Sequence, residues 1–123
     1  MNAFNMAQTA YTSSSAPVRT ERGTEYDVFS RVTHALKAAT EKSDYPAFIS
    51  ALHENRKLWT LLAVDVADAE NGLPRELRAQ LFYLAEFTQK HTSLVIAGKA
   101  DPAPLIDVNT SVMRGLRQGR AAT

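Results

Sequence analysis

The chain has 123 residues, 45% of them apolar and 22% charged, with a net charge of +1 and no cysteine. That balance describes one small globular domain with a single hydrophobic core. It excludes disulfides, thiolate metal sites and thiol catalysis, and a charge so near zero gives no bulk reason to bind nucleic acid or a membrane surface.

Residues 1–22 divide in two. Phe4, Ala7 and Tyr11 lie three and four apart, so Asn2 to Tyr11 can form a short helix with an aromatic edge. Thr12 to Pro17 is a Ser/Thr-rich stretch that reads as a flexible tether. A helix this short is marginal alone in water, so its order depends on something holding it. A tail, a permanently packed first helix and a segment that covers a groove of its own bundle are all open. Met1 to Gln8 has neither the basic start nor the apolar run of a signal peptide, and no apolar run reaches the ~18 residues that span a bilayer. The cytosol is the expected compartment.

The bundle domain is expected over residues 23–117. Its first helix is predicted from about Gly23 to Thr40, with Tyr26, Phe29, Val32, Thr33, Leu36 and Ala39 as the buried stripe. The second has a marked start, since Asp44 can cap the first-turn amides and Pro46 needs no donor there. It continues to about Ala69 through Tyr45, Phe48, Ile49, Leu52, Trp59, Leu62 and Val66, and Asn71-Gly72 ends it. The third opens at Pro74 and carries Leu77, Leu81, Leu84, Thr88, His91 and Val95, widened by Phe82, Ala85, Phe87 and Leu94, with Gly98 as C-cap. The fourth runs from about Leu105 to Leu116 through Ile106, Asn109, Val112 and Met113, and residues 118–123 are expected to fray. Strand signals are nearly absent. Helices two and three would each be roughly 35 Å long, and short connections make neighbours antiparallel. The fold class is therefore all-α: an antiparallel bundle of four main helices, with room for a short extra one at the N-terminus.

Chemistry is sparse. His34, His53 and His91 have no metal-ligand spacing, and neither a phosphate loop nor a serine elbow occurs. His91, on the third stripe, reads as a packed or hydrogen-bonded boundary residue, and Asp65 and Asp68 as solvated surface charge. No enzyme activity, metal or cofactor is expected. Lys99, Arg114, Arg117 and Arg120 face only Asp101 and Asp107. With no helix-turn-helix signature, that series and Arg56-Lys57 are weak grounds for phosphate contact.

The informative segment is LHENRKLW, Leu52 to Trp59, where Asn55 and Arg56 interrupt the apolar stripe. A polar interruption there marks either a partner contact or a hydrogen-bonded seam. In the second case Trp59 is a core residue and Asn55 a buried amide that needs partners, with Asn109 the natural candidate. In the first, Trp59 and nearby aromatics receive a partner's amphipathic helix.

Several segments together resemble one family. They are Ala10-Tyr11, EYDVFSRVTHAL from Glu25 to Leu36, ALHENRKLWTLLAVDVA from Ala51 to Ala67, and Asn71 to Pro74. LRAQLFYLAEFTQKHT from Leu77 to Thr92 and PLIDVNTSVMRGLR from Pro104 to Arg117 complete the set. In this order and spacing they resemble the flagellar biosynthesis regulator FlaF family of alphaproteobacteria over nearly the whole chain. The resemblance implies a flagellin-binding secretion chaperone and post-transcriptional regulator of flagellin synthesis, functionally similar to the export chaperone FliS. Its implied partners are the terminal helices of flagellin and the second regulator FlbT. The alternative is action on flagellin messenger RNA, directly or through FlbT. The residues placed in the protein-binding site are Phe4, Tyr11, Asn55, Arg56, Trp59, Asn109, Met113 and Arg114.

Overall fold

A computed structural model describes the backbone of residues 21–122 and the side chains of residues 26–115. Four helices fill this span: α1 Glu21–Lys42, α2 Tyr45–Ala67, α3 Arg75–Ile96 and α4 Ala103–Ala122. No strand occurs among the described residues. The expected short helix at Asn2 to Tyr11 lies outside them.

The boundaries follow local chemistry. At the start of α2 the Asp44 carboxylate accepts the Ala47 amide at 3.2 Å, and Pro46 sits in the first turn. At its end Arg78 of α3 reaches back to donate to the Val66 and Asp68 carbonyls at 3.4 and 3.0 Å, covering groups the helix itself leaves open. The Glu70 amide donates to the Asp68 carboxylate, which holds that carboxyl below its usual value. Helix α3 closes on two bonds, Lys99 N–H to the Leu94 carbonyl and Gly98 N–H to that of Val95. Gly98 has φ +74° there, the Schellman arrangement that a glycine allows without strain. The turn between α1 and α2 uses a serine instead, Ser43 at φ +56°, and no sequence signal marks it. Helix α4 runs on to Ala122, past the frayed end expected after Arg117.

Each helix packs against its two neighbours in chain order around a square. Helix α2 lies along α3 and α1 along α4, whereas α3 and α4 are the loosest neighbours. The core has two apolar clusters, one at each end. One holds Phe29, Val32, Leu58, Trp59, Leu62, Val66 and Ala85, with the Phe29 and Trp59 rings edge-on at 5.5 Å. The other holds Leu36, Ala51, Leu52, Val95 and Leu105. Burial of these stripes at roughly 25 cal/mol per Å² of apolar surface is the main force that assembles the bundle.

Between the clusters every helix contributes a buried polar residue: Thr33 from α1, Asn55 from α2, Thr88 and Thr92 from α3, and Asn109 from α4. The Asn109 amide nitrogen donates to Thr33 Oγ1 at 3.0 Å and to Asn55 Oδ1 at 2.7 Å, and its oxygen accepts the Trp59 indole N–H at 2.8 Å. One side chain thus ties three of the four helices together.

Two outcomes check this account in urea unfolding. Asn109→Ala leaves the buried Asn55 oxygen and Trp59 indole without their partner and should cost about 3 kcal/mol, lowering the midpoint without changing the slope. Ser43→Gly relieves a left-handed residue that touches no core and should raise stability by about 0.5 kcal/mol.

Candidate functional site

The residues expected to bind a partner are distributed by the fold into different environments. Asn55, Trp59 and Asn109 are fully buried, and Asn55 and Trp59 are both bonded to Asn109. They form the hydrogen-bonded seam, and this corrects the reading that placed them on a binding surface: the Asn109 amide has its donors and acceptor engaged inside the core, and Trp59 and Asn55, whose Nδ2 has no partner, are enclosed beside it. Arg56 is half-buried, and its guanidinium donates to the Gln89 carbonyl at 3.0 Å and Ser93 Oγ at 2.7 Å. Gln89 answers by donating to the Arg56 carbonyl and Thr60 Oγ1 at 3.3 and 2.8 Å. This reciprocal clasp holds α2 to α3, so Arg56 too serves the seam. Met113 is half-buried against the first cluster, and Arg114 is exposed. Phe4 and Tyr11 lie outside the described residues.

The other titratable groups are equally scattered. Asp65 is buried, not solvated as its sequence context suggested, because the last turn of α2 faces the core there. His91 is a boundary residue, as expected: its Nε2 lies 2.7 Å from the Asp101 carbonyl, and its ring stacks on Phe87 at 5.3 Å. His34 and His53 are exposed on different helices. Among the described residues no group of three or more His, Cys, Asp or Glu residues could hold a metal ion. No helix there is long and apolar enough to cross a membrane.

What the structure does expose is apolar surface on α3. Leu77, Phe82, Tyr83, Leu94 and Ile96 are 37%, 41%, 69%, 44% and 38% accessible, and of these Leu77, Tyr83 and Leu94 have the half-buried Leu84 and Phe87 beside them. Their spacings of three, four and seven residues place them on one strip along the helix. Gln89 and Ser93, which accept from Arg56, mark the side of α3 that faces α2, and helical spacing sets the strip on another side of the helix. A shallow concavity lined by Ala79, Gln80, Tyr83 and Leu84 marks its first half. Sequence reasoning assigned Leu77, Leu84, Phe87 and Leu94 to the core stripe, because periodicity counts apolar faces and cannot say how much of a wide face finds a neighbour. Tyr45, also assigned to the core, is 66% exposed at the first position of α2.

Strip and fold together define an all-α bundle with apolar surface exposed on α3. The chain matches the family described as flagellar protein FlaF over residues 7–116, and it belongs to that family. No curated protein and no solved structure matches it.

Trp59 and Tyr83 should behave oppositely on substitution. Trp59→Ala opens a cavity and strands Asn109, with an expected loss of about 3–5 kcal/mol. Tyr83→Ala should leave stability within about 0.5 kcal/mol, as for an exposed side chain outside the packing. Thermal unfolding of the two variants provides the comparison.

Proposed function

We propose that this flagellar protein is a non-enzymatic, cytosolic flagellin-binding chaperone that also regulates flagellin synthesis after transcription. The supporting observation is the α3 strip. An exposed apolar row at helical spacing is suited to receive a second amphipathic helix, whose own row lies along it. The terminal helices of flagellin, built to assemble into a coiled core, need such cover before export. Tyr83 is the natural anchor, a large and rigid side chain at the centre of the strip. Arg114 is exposed on α4 and can meet an acidic group on a partner.

Calorimetric titration with flagellin and with its separate terminal fragments tests the reading. Saturable binding to at least one fragment is expected, weakened about tenfold or more by Tyr83→Ala, a loss of about 1.4 kcal/mol. Moderate salt should change it little, because the contact is mainly apolar. Absence of binding to every fragment would defeat the chaperone reading. RNA binding that falls steeply with salt would instead favour direct action on the messenger, and co-purification with FlbT alone would favour a scaffold.

A further inference from the structure

We infer that the exposed face of α3 pairs with a second copy of the same face, so that the protein forms a weak antiparallel dimer about a two-fold axis near Tyr83. The inference goes beyond the proposed function and does not depend on it.

The face is open to a second molecule. The buried residues of α3 are Ala85, Thr88, Thr92 and Val95. At 3.6 residues per turn, Glu76, Tyr83 and Lys90 fall on almost one line along the nearly opposite side of the helix. All three are exposed. Gln80, Phe87 and Leu94 alternate with them at steps of four and three residues, the repeat by which two helices pack along their length.

What this face matches is itself. It is acidic at one end, aromatic in the middle and basic at the other end. Tyr83 lies midway, seven residues after Glu76 and seven before Lys90. A two-fold axis near Tyr83 reverses the second helix, so Glu76 of each copy meets Lys90 of the other and the contact is made twice. A parallel copy in register would instead set each charge against its like. Shape agrees with charge. Ala79, Gln80, Tyr83 and Leu84 line the shallow concavity, and a hole framed by four residues is what receives a side chain from a facing helix. In the antiparallel pairing Phe87 of the second copy stands near that level. The exposed charges of α3 balance, Arg75 and Lys90 against Glu76 and Glu86, so two copies approach without net repulsion.

Size sets the strength. From Glu76 to Leu94 the face is about 27 Å long, and a helix contact about 10 Å wide gives roughly 300 Å² of footprint per copy. A stable interface takes about 800 Å² per partner. The dimer is therefore transient, populated at high protein concentration and yielding to a partner that offers a longer apolar row. Under the proposed function, a flagellin helix and the second copy compete for the same strip.

Sedimentation velocity on the full-length protein, from about 5 to 500 μM, tests the pairing. The weight-average mass should rise from that of one chain toward that of two, and Tyr83→Ala should weaken association about tenfold or more. Glu76→Lys and Lys90→Glu each change an exposed side chain and leave the fold intact. Either variant alone should associate about tenfold less than the original protein, because two repulsive pairs replace two attractive ones. Mixed in equal amounts, the two should associate with each other about as well as the original does with itself, since one brings two bases to the line and the other two acids. Only an antiparallel pairing along this line gives that rescue. A single-chain mass at every concentration would overturn the inference. So would a dimer indifferent to all three substitutions, or charge variants that stay apart when mixed. The measurement contains no flagellin, so its failure is distinct from a failure of flagellin binding.

Discussion

The bundle turns on the Asn109 side chain. Helices α2 and α4 stand diagonally opposite and their backbones do not meet, yet Asn55 and Trp59 reach Asn109 across the centre. A buried amide is costly unless it is satisfied, and here both donors and the oxygen have partners at 2.7–3.0 Å. A slip of α4 by one residue would turn Asn109 away from all three. The apolar clusters on either side could tolerate such shifts, because Leu, Val and Ala contacts are non-directional. Directional bonds at the midpoint thus supply the uniqueness of register, while the clusters supply most of the free energy.

That division of labour also shapes the surface. Asn109 ties α4 to α1 and α2, and the Arg56–Gln89 clasp ties α3 to α2, so strong polar links run along three helices and around one corner. Between α3 and α4 the counterpart is the His91 bond to the Asp101 carbonyl, beside their connecting turn. Away from that turn little holds the two helices together, and the apolar row of α3 remains on the outside. The exposed strip is thus a consequence of where the polar links were placed.

The polar interruption at Asn55 and Arg56 carried real information, but of two meanings available in the sequence the structure selects the internal one. An Asn four residues before a Trp defines a shared side of the helix without saying whether that side meets the core or a partner. The exposed apolar row of α3 was in turn concealed among residues that resemble core. Tyr83 left no mark as an outlier, because a tyrosine on a wide amphipathic face is ordinary. Asp65 failed for a related reason: a carboxylate near a helix end is usually solvated, and only the packing of the last turn of α2 shows this one to be inside.

Helix number, order, most boundaries and the all-α class were determined by the sequence alone. Their causes are local: apolar periodicity, the Asp44 cap with Pro46 behind it, and the glycine at position 98 all act within a few residues. The FlaF relationship was legible in the same way, as an ordered series of short segments. Asn109 was already the natural partner of Asn55 in the sequence, and the two are bonded; only the tertiary structure decided that Asn109 also bonds to Thr33, 76 positions away, that Arg56 faces α3, and that apolar surface on α3 goes uncovered. Those outcomes depend on which helices become neighbours and how closely they approach. Such distances are set by the sum of many side-chain contacts across the bundle, and no segment of the chain contains that sum.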